Sequence, residues 1–364
     1  VPDQPPHIGP PQRQEDLHLQ RERFETPELA TVLSHYDLGV IERIRSFPRG
    51  SRRAPKVLIN SRKGRFLLKR RAPGRDDPYR VAFAHELQLH LAKFNYPVPR
   101  LIGTRDNNSL LQFNNRIYEM FEFVAGAHFD LTHQQAEQSG EALGSLHRLL
   151  DSHQPSYQSP VGTYHAAPGI DAKFRQVVAA VMVAEPTIDE QELRARCDHL
   201  AHAYHEAAAK ADQAGYSQFP RVIVHGDWHP GNLLYRDGRV VAVLDFDSAR
   251  HDPRVCDVAN AVLQFTMKMD RPDDPDTWPE GLDSRRLQRL VSGYHQKLVQ
   301  PLTRRELESL PWLMIEALIV ESVVPIAATG SFARIPASAF LAMVERNVRW
   351  IAPRAGSMVR FLEG

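Results

Sequence analysis

The chain has 364 residues, 42% of them apolar, a formal charge of +1 and two cysteines. That length is enough for two lobes, each with its own buried layer, and the near-zero charge gives no reason to expect a nucleic-acid partner. Cys197 and Cys256 make no disulfide framework and the seventeen histidines show no zinc-like spacing, which fits a reducing, cytoplasmic setting.

Residues 1–24 are rich in Pro, Gln and charge; they bury too little apolar surface to order themselves and are expected to form a flexible tail. Three β-type runs follow at 40–46, 56–60 and 65–70, the last two joined by the turn Ser61-Arg62-Lys63-Gly64. Val81, Phe83, Ala84, Leu87, Leu91 and Phe94 recur at helical spacing and predict a helix over 79–94, which stops before Pro97-Val98-Pro99. Strands are expected over 109–113 and 116–124. Beyond Gly126 the patterning turns helical, at 134–150, 172–183 and 190–214. A strand–loop–strand interruption spans 221–246, and helices then run to the end. The apolar run 310–328 carries Glu316 and Glu321 inside it and reads as a buried core helix, so no membrane partner is expected. Neither a signal peptide nor a basic targeting helix is expected in these residues.

The chemistry concentrates in Val222-Ile223-Val224-His225-Gly226-Asp227-Trp228-His229-Pro230-Gly231-Asn232-Leu233-Leu234-Tyr235. Two apolar β runs flank a polar loop, so His225, Asp227 and Asn232 project from strand ends, where side chains are held rigidly. A second strand, 240–244, ends in Asp245-Phe246-Asp247. Phosphoryl transfer needs parts of this kind. One carboxylate orients the attacking hydroxyl and takes its proton, while a second carboxylate and an amide oxygen hold Mg²⁺ against a triphosphate.

His225-Gly226-Asp227, with Asn232 five residues later and Leu244-Asp245-Phe246 beyond, resembles the catalytic and metal-binding loops of the aminoglycoside phosphotransferase and choline kinase family, relatives of protein kinases. The likeness covers about residues 38–300 and is strongest over 221–260. It implies an α+β, protein-kinase-like two-lobed fold. A small five-stranded N-terminal lobe with one main helix would occupy 25–121, a hinge 122–126, and a larger helical lobe 127–364. It further implies Asp227 as catalytic base, Asn232 and Asp245 as Mg²⁺ ligands, and His225 as a brace for the loop. Lys69 sits where the family places the lysine that holds the α- and β-phosphates, and Glu86 where a carboxylate orients that lysine. In the hinge, the Glu122 carbonyl and the Val124 N–H would meet the adenine edge of ATP.

The phosphate loop should be residues 47–55, where one glycine stands in place of a glycine-rich run. Gly50 and Ser51 N–H groups approach phosphate in one reading, and Arg52 or Arg53 adds charge; the other reading is an exposed basic hairpin. His229 faces the γ-phosphate or braces the loop, and Asp247 touches metal or substrate or is a solvated turn residue. Asp257 is expected to begin the next helix as a structural cap.

Three features separate the chain from protein kinases. His229 stands two residues after Asp227, where those enzymes carry Lys; no Ala-Pro-Glu follows Asp245; and only eleven residues separate Asp245 from Asp257. The expected activity is therefore ATP- and Mg²⁺-dependent transfer to a hydroxyl of a small molecule: an amino alcohol, a hydroxy amino acid such as homoserine, or a sugar. Gly293-Tyr294-His295 and residues 301–307 resemble the homoserine-kinase-type branch. The acidic stretch between Asp270 and Asp283 reads either as an amine-binding segment or as a solvated loop. A stress-response-type Ser/Thr protein kinase and a non-catalytic nucleotide-binding module are the competing readings.

Overall fold

The structure, a computed structural model, describes residues 21–363. They divide into two compact units: residues up to Ala82 with Arg100–Phe123, and Phe83–Pro99 with Val124 onward. Most of residues 1–24 lies outside the described part.

The first unit is built on an antiparallel sheet of five strands: β1 (Ile41–Ser46), β2 (Lys56–Ser61), β3 (Gly64–Arg70), β4 (Leu111–Phe113) and β5 (Arg116–Glu122). Their order is β1-β2-β3-β5-β4. Side chains alternate across a strand, so Phe66, Leu68, Tyr118 and Met120 share one face and form the core with Val57, Ile59 and Val32. Val32 comes from a short helix, α1 (Thr26–Ser34), that periodicity did not reveal. Proline at its start and a capping box between Glu25 and Glu28 hold it. Residues 21–24, assigned to the tail, are in fact tied to this unit. Glu22 pairs with Arg70 at 2.6 Å, Arg21 donates to the carbonyls of Gly50 and Ser51, and Phe24 packs on Tyr118. Composition understated this segment because charged pairs add to the packing of its single aromatic residue.

The chain passes into the second unit within α2 (Pro78–Lys93). Its buried residues Phe83, Ala84, Leu87 and Leu91 join the second unit's core. Helices α3 (His133–Leu150), α4 (Ile170–Ala184) and α5 (Glu190–Ala214) follow, then strands β6 (Arg221–Val224), β7 (Leu233–Arg236), β8 (Arg239–Val243) and β9 (Arg250–Pro253). Helices α6 (Arg254–Thr266), α7 (Ser284–Gln296) and α8 (Arg304–Thr329), a two-stranded ribbon β10 (Ser331–Phe332) and β11 (Ile335–Pro336), then α9 (Ala337–Ile351) and α10 (Ala355–Glu363) complete it. The strands pair as two small ribbons, β6 with β9 and β7 with β8.

Glycine sets one helix crossing. A Cβ at Gly140 would lie 1.9 Å from the Leu290 carbonyl, and one at Gly293 would lie 2.3 Å from that of Glu137. Helices α3 and α7 therefore touch backbone to backbone, which seats the Tyr294 hydroxyl 2.8 Å from His147 Nδ1. Helix α8 alone among the described residues is long and apolar enough to cross a membrane, and most of its apolar stretch is buried in protein. Inside it Glu316 accepts hydrogen bonds from His165 and the Ala166 N–H, as a core helix requires.

Candidate active site

The loop after β6 is fixed from below. Gly226 has φ +76°, and a Cβ there would stand 2.3 Å from the Ser248 carbonyl, so only glycine fits. Asp257 accepts the N–H groups of His225 at 2.6 Å and Gly226 at 2.8 Å. It was expected to open its helix as a cap. Instead α6 begins at Arg254, and Asp257, buried in the first turn, points its carboxylate at the polar loop. Its other partner is His147 Nε2 at 3.1 Å, which Tyr294 orients in turn. Burial alone would push the Asp257 carboxyl up, but the His147 hydrogen bond, the nearby imidazoles and the Gly226 N–H hold it below the usual range.

Asp227, Asn232 and Asp245 are brought together by the same framework. Asn232 donates its amide to the Asp227 carbonyl at 2.9 Å and to Asp227 Oδ2 at 3.0 Å. With Nδ2 so engaged, Oδ1 is the amide atom turned elsewhere. The Leu244 N–H donates to the Asn232 carbonyl at 2.8 Å, and the Leu244 carbonyl takes His225 Nε2 at 3.0 Å. The residue before Asp245 is thus held at both ends, and His225 is a brace wedged among Leu244, Trp228 and Phe246. Asp245 itself adopts φ +61° and ψ +66°, a left-handed conformation uncommon for a non-glycine residue. Such positions persist where surrounding structure enforces them.

His229 Nδ1 accepts the Gly231 N–H at 3.0 Å, so Nε2 carries the hydrogen; it lies 3.6 Å from Asp227 Oδ2. The two shift each other. Against the effect of burial, His229 and His225 hold the Asp227 carboxyl below its usual value, and Asp227, Glu321 and Asp245 raise His229. Glu321 goes the other way, pushed up to about 7 by burial and the Asp227 charge. Sequence reading used Glu321 only to argue that its helix is buried, and it missed His147 altogether. His147 follows Leu143 and Leu146 on a buried helix face, where a lone histidine in the pattern was the available signal.

In the first unit, register sets out a row of charge. Lys56 of β2 stands opposite Lys69 of β3, and Lys69 opposite Glu119 of β5. Lys69 Nζ is 3.8 Å from Glu119, which also binds Arg71 through two hydrogen bonds of 2.8 Å. Glu119 was not singled out from sequence. Gly50 has φ +74°, the Ser51 Oγ accepts the Arg53 N–H, and Lys56 donates to the Arg49 carbonyl. Glu122 ends β5 with its side chain on Arg100 and its N–H on the Arg100 carbonyl. In the second unit Val124 opens the segment that leads to the Ala127–Tyr235 bridge. There too, both Glu86 oxygens accept the Ser156 N–H at 2.9 Å, and the Ser156 hydroxyl and Tyr157 N–H add to them.

Among the described residues no three His, Cys, Asp or Glu side chains converge as a metal cage. Asn232 Oδ1 and the Asp245 carboxylate are hard oxygen donors, the kind a hard cation uses when phosphate and water supply its other ligands.

A polar loop carrying Asp227 and Asn232 and braced on a buried aspartate, on an α+β protein-kinase-like fold, is the layout of a kinase-type phosphotransferase. Residues 43–310 match the model of the phosphotransferase enzyme family APH, and the chain belongs to that family. It is similar to the homoserine kinase of Chelativorans sp. (strain BNC1), at 23% identity over 79% of this chain and 80% of that one. It is also similar to stress response kinase A of Salmonella typhi, at 27% identity over 53% and 55% of the two chains. Among solved structures, an amicoumacin kinase in complex with AMP-PNP and Ca²⁺ shares the fold, with TM-score 0.64, 12% identity, and 94% and 96% of the two chains covered.

Proposed function

We propose that the protein transfers the γ-phosphoryl group of ATP, with Mg²⁺, to a hydroxyl of a small molecule. The observation that carries this reading is the Asp227–Asn232–Asp245 arrangement, held by Asp257 and His225. Asp227 is kept ionised, so its carboxylate accepts a hydrogen bond from the acceptor hydroxyl and orients it. The acceptor oxygen then bonds to the γ-phosphorus, the bond from that phosphorus to the bridging oxygen of ADP breaks, and the hydroxyl proton passes to Asp227. Asn232 Oδ1 and Asp245 would hold Mg²⁺, which when bound neutralises phosphate charge. His229, its Nε2–H beside Asp227, steadies that carboxylate.

On the nucleotide, Lys69 would hold the α- and β-phosphates, Gly50 and Ser51 would offer N–H groups, and the Glu122 carbonyl and Val124 N–H would read adenine. Glu119, 3.8 Å from Lys69 Nζ in the same sheet, would help to orient Lys69, beside the orienting role that the resemblance gives Glu86. The buried, unpaired thiols Cys197 and Cys256 suit a reducing compartment such as the cytoplasm.

The resemblance to stress response kinase A favours one second reading, a protein acceptor. Against it, residues 246–253 form only a short turn and β9 before α6 begins. A peptide-docking segment has no room there. The test is ADP release and phosphorylated product measured with a panel of small hydroxyl compounds and, separately, with protein substrates, with and without EDTA. Metal-dependent turnover confined to the small compounds supports the proposal; turnover confined to proteins overturns it.

A further inference from the structure

The second unit holds a cavity of about 850 Å³ for which the phosphotransferase reading has no use. Small-molecule sites run to about 300–1,000 Å³ and are mostly apolar, with a few placed polar groups. Here Phe219, Pro220, Val222, Leu298 and Val299 supply the apolar lining. Val299 is 91% exposed, so it marks the mouth.

Charge around the cavity is uneven. Four arginines line it, Arg148, Arg254, Arg304 and Arg305, with two carboxylates, Asp151 and Glu306. Two of the arginines are already matched. Arg254 gives Nε and Nη2 to Glu306 at 2.7 and 2.9 Å, and donates to the Gln300 and Pro301 carbonyls as well. Arg304 pairs with Glu308 at 3.0 Å and Glu363 at 3.6 Å. Arg305 reaches the neutral amide oxygen of Gln218 at 3.1 Å. Arg148 has no hydrogen-bond or ion-pair partner among the described residues. Two guanidinium groups are thus left with the single carboxylate of Asp151 beside an apolar lining.

Part of the wall is the brace of the Asp227 loop. His147 lines the cavity, and its Nε2 lies 3.1 Å from Asp257. Arg254, also in the lining, opens α6, whose first turn carries Asp257. Its bonds to Gln300, Pro301 and Glu306 tie that turn to a segment that lines the cavity too.

An apolar body placed here would leave water, and an anionic head would answer Arg148 and Arg305. We propose that the cavity binds a small amphipathic anion, an apolar body bearing one carboxylate or phosphate, and that the bound ligand stiffens the Asp257 brace. It is an effector site outside the Asp227 loop, and its existence does not depend on which acceptor the protein phosphorylates.

Octanoate is the probe, titrated into the full chain and followed by methyl NMR. Octan-1-ol, the chain without the charge, and acetate, the charge without the chain, are its controls. Octanoate should shift the methyl signals of Val222, Leu298 and Val299. It should bind on the order of tenfold tighter than either control, the scale of a charge-assisted hydrogen bond. Arg148→Ala combined with Arg305→Ala should erase the lead over octan-1-ol. Both side chains are exposed, so urea unfolding of that variant should match the wild type. The His225 and Gly226 N–H groups are held by Asp257. A ligand that binds the closed wall alone should slow their hydrogen exchange about tenfold at about ten times its Kd. Equal binding of either control, shifts that miss these three methyls, an octanoate affinity unmoved in the double variant, or exchange unslowed at saturation would overturn the proposal.

Discussion

The two units hold their functional side chains in different ways. In the second, the loop bearing Asp227 hangs from a buried network: Asp257 takes two backbone N–H groups, His147 braces Asp257, and Tyr294 braces His147. In the first, Lys69 is placed by strand register, in a row with Lys56 and Glu119, and the nearby turn is held by charged groups such as Arg21. A residue that takes or orients a proton gains from rigidity within fractions of an ångström. On the proposed reading Lys69 acts on phosphate as a point charge, which asks for charge in the right region rather than an exact angle.

The largest effect should follow from breaking the buried network. Asp257→Ala leaves the His225 and Gly226 N–H groups and His147 without their acceptor. Removing one partner of a buried charged cluster typically costs about 3–5 kcal/mol, so urea unfolding should show a loss of that order and turnover should vanish. Asp257→Asn, which keeps one acceptor oxygen, should lose less. Unchanged unfolding in Asp257→Ala would show that the loop is held by other means.

Next comes Gly226→Ala. It sets a methyl against the Ser248 carbonyl in a left-handed backbone, with a strain of about 1–3 kcal/mol. Turnover should fall further than stability does, because the strain is relieved by moving Asp227. A parallel loss in both would contradict that.

A smaller effect probes the register-held region. Double-mutant cycles on kcat/KM should give Lys69 a coupling with Glu119 of about 0.5–3 kcal/mol. Strictly additive losses would show that the two side chains do not act together.

The smallest is a pH dependence. In the folded chain burial and the Asp227 charge push Glu321 up to about 7, above its ordinary 4.5. The native state therefore binds more protons than the unfolded state between those values, and stability should fall as pH rises through that window. Glu321→Gln should remove this slope and stabilise the protein at pH 8 by roughly 1 kcal/mol or more. A slope that survives the substitution would place its origin in another group.

The same contrast explains what the sequence disclosed. Asp227, Asn232 and Asp245 lie within one short segment, and the strands that carry them are apolar runs broken by a polar loop, so spacing alone groups them. The five strands and the long helices were legible for the same reason: their periods are local. Glu119 was not, because its place beside Lys69 depends on which strands pair and in what register. Nor was α1, too short and too charged for its period to show, nor Glu321, whose partner Gln264 arrives from another helix. Asp257 was visible, but its helix starts three residues earlier than expected, and that shift turns a cap into the anchor of the loop.

The central claim is that Asp227 serves the acceptor hydroxyl while Asp245 serves metal and phosphate. Isothermal titration of Mg-ATP against Asp227→Asn and Asp245→Asn, beside their turnover, tests it most directly. Asp227→Asn should bind Mg-ATP almost as the wild type does and lose about 10²- to 10⁴-fold in kcat, whereas Asp245→Asn should lose metal-dependent nucleotide binding as well. If Asp227→Asn keeps near-normal turnover, or loses nucleotide binding as badly as Asp245→Asn, the division of labour described for the two carboxylates is wrong.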